Sequence, residues 1–466
     1  DGEFYHYVLA QLGASHARQN QRMNGKAMCE VFGAYGWAEG TPLMKWLMDF
    51  LLVRGVNHFV PHAFDDQFPD SDCPPHFYAN GQNPQFSGFT QLMHYVNRAA
   101  HLLSGADMEA SGAILYHAEA AWMDADAMLM QKPAKVCYDA HISYDIVPMD
   151  YLKSAETRDG KFGRGYRYLI VPACKQLSPC FTEIAARLRR AGVPIFFINE
   201  APAGVNACPE ELVPLAQIAS RILAQHLAHD YQTSARLLRI AKFTRDELTV
   251  FFFFNESLQT VQTTLQLPVC GQYIAADFLN EQYVRDEAAQ GEVTVELAAG
   301  QSVLLVFGGV SQEEWLAFPA KQDKLHTQIL DVQWDIDLRE TGREENFRPL
   351  RRKSKLFNIT GLEGEREFSG EIRYRTTINL EKAERMVLNI EHVGMTACLF
   401  ANGRDLGQRI CAPYCWDIAD AVRNGENEIE VLAANTLVQR MQDRLSSYMA
   451  IPASGLTGNV TLSVTQ

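Results

Sequence analysis

The chain has 466 residues, and at roughly 100–200 residues per domain that length excludes a single compact core. Hydrophobic residues make up 47% and charged residues 21%, which excludes extended disorder. With 56 Asp plus Glu against 42 Lys plus Arg, the net charge of −14 gives an anionic surface that repels phosphate backbones, so nucleic acid is not an expected partner.

From the N-terminus, residues 5–21 read as a helix and residues 27–32 as a short apolar strand. Residues 42–53 carry Leu43, Trp46, Leu47, Phe50 and Leu51 at helical spacing, with Thr41 as N-cap, Pro42 at the first helical position and Gly55 ending the run. A second strand over 56–60 follows, then a Pro- and Asp-rich loop and a helix through Leu92, Val96 and Leu103. That order predicts a parallel α/β arrangement over residues 1–105. Residues 106–231 repeat the alternation, with strands over 112–117, 144–147, 168–171 and 193–198 and a helix over 181–191, as in an open, flavodoxin-like doubly wound sheet. Over 232–310 the helical signals vanish and the strands 248–254, 260–267 and 301–307 predict a small β-sandwich.

The charged stretch 311–356 reads as a linker and domain edge, with Arg351-Arg352-Lys353 as a solvated face rather than an anion-binding patch. Strands resume over 370–378, 385–392, 397–401, 428–433 and 458–464, and Asn402-Gly403 predicts a tight hairpin. The most apolar run, 248–254, is of strand length, so no membrane segment is expected. Ten scattered cysteines without CxxC pairs read as reduced thiols, and Cys411 and Cys415 lack the further ligands of a metal site.

Chemistry concentrates in two places. Glu30 ends the first strand and is followed by a Gly-punctuated loop holding Tyr35 and Trp37. Catalytic groups of parallel α/β barrels sit at the carboxyl ends of strands, where loop aromatics can stack on sugar rings. A structural hydrogen-bond acceptor is the plainer reading of Glu30. His62 ends the second strand, with Asp65 and Asp66 just beyond, and can bind a substrate hydroxyl, orient a carboxylate or simply be satisfied by backbone.

Glu30, Gly33-Ala34-Tyr35-Gly36-Trp37, the Trp46 helix, Arg54-Gly55-Val56-Asn57 and Pro61-His62-Ala63 occur in that order within one short stretch. In this pattern the chain resembles a group of glycoside hydrolases that includes the family-106 α-L-rhamnosidases and relatives with the domain order of the family-42 β-galactosidases. Ser15-His16 is similar to that group's preceding helix. The resemblance makes residues 1–105 the C-terminal part of a (β/α)8 barrel, with Glu30 as base or nucleophile, Tyr35, Trp37, His62 and Asp65 as sugar-binding residues, and carbohydrate as the partner.

The second segment looks like the glutamine-amidotransferase-like domain of those enzymes, although Cys174 lacks the flanking glycines of a nucleophile elbow. Phe368-Ser369-Gly370, Asn402-Gly403, Tyr414-Cys415-Trp416-Asp417 and Gly425-Glu426-Asn427 resemble a galactose-binding-like jelly roll in the last segment. There Tyr414 and Trp416 are expected to pack between domains rather than stack on sugar. Homo-oligomerisation carries over by analogy with the β-galactosidase relatives. Rhamnosidase relatives can carry calcium, but no ligand cluster is legible, so no metal and no cofactor are expected.

Two strands are too few for a barrel, and hydrolysis ordinarily needs two carboxylates flanking the scissile bond. The expectation is therefore the C-terminal portion of a longer hydrolase whose general acid lies elsewhere. The alternatives are a truncated sugar-binding relative and a barrel completed by a second chain. Cytoplasmic location is the default, and secretion follows instead if a signal peptide lies upstream.

Overall fold

The computed structural model describes residues 7–320 and 325–465. The first helix is Tyr7–Gln19 (α1), so the start of the expected helix lies outside the described residues. There follow Met28–Val31 (β1), Thr41–Leu52 (α2), His58–Pro61 (β2) and Phe86–Leu103 (α3). β1 and β2 form a two-stranded parallel sheet in the register Met28↔His58 to Val31↔Pro61.

Two features of α2 differ from expectation. Its N-cap is Gly40, and Thr41 instead donates its hydroxyl to the Ile410 carbonyl at 3.0 Å, tying the helix to a distant loop. Its deepest face is Met44, Met48 and Leu52 rather than the expected stripe, because the helix is covered on two sides, by α1 and by the antiparallel sheet of the third segment. Lys45 and Asp49 fall on that buried face and neutralise each other at 2.6 Å, and the Lys45 ammonium also donates to the Gly300 carbonyl at 2.7 Å. A buried pair is tolerable only when its hydrogen bonds are made in this way.

In the second segment Gly112–Tyr116, Tyr144–Pro148, Leu169–Val171, Ile195–Ile198 and Leu212–Val213 form a fully parallel sheet. Counted along the chain, its order in space is 2-1-3-4-5, a doubly wound order. Burial on both faces explains why these strands read as unbroken apolar runs.

The edge strand Tyr144–Pro148 is closed by α1. Gln11 and Gln19 donate to the Tyr144 and Ile146 carbonyls at 2.7 and 2.8 Å, and the Ser15 hydroxyl accepts from the Ile146 N–H at 3.0 Å. Spacing by four puts all three side chains on one helix face, where they replace the missing neighbour strand.

The third segment is a six-stranded antiparallel sheet around Leu248–Asn255, with Val261–Gln266 and Glu292–Leu297 as a separate ribbon over one face. Phe251 and Phe253 pack toward that ribbon, and Phe252 and Phe254 pack toward α2 and α3. The strand Asp107–Met108 adds itself to the edge of this sheet, so the first three segments interlock.

The last segment packs a four-stranded and a six-stranded antiparallel sheet around Trp334, Ile372, Tyr374, Leu388 and Trp416. Here the expected linker is corrected. Trp334–Glu340 and Arg348–Ser354 are strands of the six-stranded sheet, the second at its edge, and Arg352 pairs with the buried Asp337 at 2.7 Å. A run of basic residues suits an edge strand because charge discourages pairing with another chain. At the expected hairpin, Asn402 and Gly403 both have positive φ and join Ala401 to Arg404 directly. Trp416 lies inside this sandwich, its indole N–H donating to the Gly407 carbonyl at 2.8 Å, rather than between domains. Among the described residues no helix is long and apolar enough to cross a membrane.

Candidate active site

The two-residue period of β1 and β2 turns Cys29, Val31 and Phe59 toward the helices and leaves Met28, Glu30, His58 and Val60 on the opposite face. That face is open: Met28 is 65% exposed, Val60 52% and the Glu30 side chain 68%. Just past β2, His62 donates its N–H to the Val31 carbonyl at 2.9 Å, and its Nδ1 stands 3.8 Å from Glu30 Oε1. The two residues singled out in the sequence therefore meet at the carboxyl ends of adjacent parallel strands.

The loop after β1 bends sharply, with Phe32, Ala34 and Gly36 all at positive φ. Gly36 has no alternative, because a Cβ there would lie 2.5 Å from the Ser446 N–H nitrogen. The same contact seats the loop on the last segment, where the N–H groups of Trp37 and Ala38 donate to Asp443 and Ser446 at 3.0 and 2.9 Å.

This seating corrects one expectation. Trp37 is 2% exposed and sits in a small core with Ala79, Leu437 and Val438, so it presents no face to a sugar. Its ring lies 5.7 Å from that of His76. Tyr35 keeps a solvent-facing surface, and its phenol is pushed up by burial and by the nearby Glu39 and Cys29.

Asp65 is turned inward: Oδ2 lies 3.3 Å from His76 Nδ1, and Oδ1 accepts the Gln67 N–H at 2.8 Å. Together with Asp70 these residues bring three donor atoms within 4.8 Å of one another, a cluster the sequence reading did not find. Both His76 ring nitrogens are buried without hydrogen-bond partners. Two carboxylates and an imidazole suit a borderline transition cation and fall well short of the roughly six to eight oxygens that calcium takes.

Two further residues escaped the sequence reading. Phe64 is exposed at the rim, stacked on Tyr78 at 5.0 Å, and offers the flat apolar surface that Trp37 does not. Its signal was its place beside His62. Glu39 is a buried carboxyl whose oxygens have no hydrogen-bond partner, and burial pushes it up to about 9, so it is protonated at neutral pH.

At the carboxyl edge of the doubly wound sheet, Cys174 is fully buried, which pushes its thiol up to about 11, the reverse of nucleophile activation. All ten cysteines are unpaired.

No protein-family model matches the sequence, and no curated protein sequence matches it. Among solved structures, the chain is similar to a rhamnosidase from Novosphingobium sp. PP1Y at 18% identity and a TM-score of 0.73, covering 98% of this chain and 49% of that one. The chain spans about half the length of that enzyme. At this identity the likeness establishes the fold, which is that of part of a glycoside hydrolase. A β-galactosidase from Bacillus circulans sp. alkalophilus also matches, at 10% identity and a TM-score of 0.46, over 66% of this chain and 58% of that one.

Proposed function

We propose that the chain forms the C-terminal part of a glycoside hydrolase of rhamnosidase type, in which Glu30 is the general base or the nucleophile. One observation carries this reading: the Glu30 face of a parallel sheet whose two edges are unpaired among the described residues stands open to solvent, as the inner wall of a barrel does before its other strands are added. The remaining βα units, and with them the general acid, belong to polypeptide outside this chain.

In this reading Glu30 either takes the proton of an attacking water or attacks the anomeric carbon itself. His62 orients the carboxylate or binds a sugar hydroxyl, and Tyr35 and Phe64 form the sugar-facing wall. Asp65 acts through His76, holding the loop under the site. Residues 106–231 then correspond to the amidotransferase-like domain without its chemistry, 232–310 to the small sandwich and 311–466 to the galactose-binding-like jelly roll.

The test is hydrolysis of aryl α-L-rhamnosides by the full native gene product. Glu30→Gln should lower kcat by about 10³-fold or more and leave Tm unchanged, since the side chain is mostly exposed. Unchanged turnover would reject the assignment. Among the predicted site residues Glu30 is the one carboxylate standing open at the strand ends, which favours one second reading, a sugar-binding protein without hydrolysis. Calorimetric binding of sugars with no turnover by the full product would select it.

A further inference from the structure

Away from the open sheet face, the first three segments meet at a small cavity of about 60 Å³. Its wall holds Arg54 from the end of α2, Tyr138 and His141 from the doubly wound segment, and Arg239 from the antiparallel sheet. Glu256, beside these residues, is shared by both guanidiniums. Arg54 Nη2 lies 2.6 Å from Oε1, Arg239 Nε lies 3.1 Å from Oε2, and the Tyr138 hydroxyl donates to Oε2 at 2.6 Å. All three charged side chains are buried.

The charges do not balance. Two buried guanidiniums face one buried carboxylate, a surplus of one positive charge inside a chain whose net charge is −14. The neighbouring groups do not make up the difference. Glu109 is taken by Lys242 at 2.7 Å, Asp139 is shared between Lys135 and Arg236, and Asp230, which acts on His141, is exposed to solvent and pairs with neither guanidinium. The Tyr144 phenol, also on the wall, is pushed up by burial and stays neutral.

Donors are also in surplus. Arg54 Nε and both ring nitrogens of His141 are buried without hydrogen-bond partners. Burial and the adjacent Arg239 push the His141 imidazole down to about 4, so at neutral pH it offers one N–H and adds no charge. The guanidiniums are fixed in place, Arg54 lying 3.6 Å over the Phe50 ring and Arg239 3.7 Å over the Tyr138 ring. Uncompensated buried charge is costly, and rigid unpaired donors around a void of this size are what an anion needs. Water could fill the volume but would leave the charge unanswered.

We propose that this cavity binds a small inorganic anion of the size and charge of chloride, held by Arg54, Arg239 and the His141 N–H, and that the ion ties the first three segments together. An ion bound only by the folded state raises its stability as concentration rises and levels off at saturation.

The test uses the native protein at constant ionic strength, with sodium gluconate replaced stepwise by sodium chloride or bromide. Tm should rise by a few degrees and saturate with either halide and not with gluconate. Crystals grown in bromide should show an anomalous peak between Arg239 and His141. His141→Phe, which fills the void, should abolish the halide response. Equal Tm in the three salts, or a response that never saturates, overturns the proposal. So does a cavity without a bromide peak, or a halide response retained by His141→Phe.

Discussion

Glu39→Gln should stabilise the protein, increasingly so as pH rises. The carboxyl is 1% exposed, and burial lifts it from 4.5 to about 9. A raised carboxyl value means that the folded chain keeps a proton which the unfolded chain has released. The group's contribution is therefore whole below the unfolded value and is lost progressively as pH climbs toward the folded one. At about pH 7.5 the gap to the unfolded value is about 3 units, each worth ~1.4 kcal/mol, so keeping that proton costs ~4 kcal/mol. Because the folded value lies above this pH, the figure depends only on the unfolded value.

Glutamine has the same shape and no proton to hold. The variant should match the parent near pH 4.5 and exceed it by ~4 kcal/mol near pH 7.5. Urea unfolding across that range, with proton uptake on refolding measured in parallel, reads both quantities. Parallel stability curves for the two proteins would refute the reasoning, since they would mean that Glu39 is ionised in the fold.

Ser15→Ala removes the hydroxyl that serves both Asp145 and the Ile146 N–H, each at 3.0 Å. It should cost about 1–3 kcal/mol in denaturant unfolding, and a cost below 0.5 would mean that water closes that edge equally well. Gly36→Ala must fit a Cβ against Ser446 at a φ of +84°, and should destabilise by about 2–4 kcal/mol. The same substitution should lower turnover through the displaced loop, and a wild-type melting curve would show that the loop yields freely. Iodoacetamide near pH 8 should label the exposed Cys208 and Cys270 and spare Cys174, as peptide mapping can establish. Rapid labelling of Cys174 in the folded protein would contradict its burial.

Much of this architecture was legible in the sequence because its signals are local. Strands buried on both faces read as apolar runs, Asn402-Gly403 marks its hairpin by the positive φ both residues adopt, and Glu30 and His62 could be put at one sheet edge from strand order alone. The ends of β1 and β2 meet because parallel pairing in register leaves no other arrangement.

What the sequence could not decide is who covers whom. Trp37 looks like a sugar platform until the Asp443 carboxylate, 406 residues away, holds its N–H and the last segment closes over the ring. The basic run at 351–353 looks like a linker until Asp337 gives Arg352 a buried partner. Gln11, Ser15 and Gln19 form a polar helix stripe with no evident purpose until an edge strand lies against it. Glu39 looks like an ordinary polar residue until burial removes its water and its partners, and His76 until burial sets it against Asp65. Backbone period and turn type follow from neighbours along the chain. Burial, and with it charge state and accessibility, follows from contacts that only the folded chain makes.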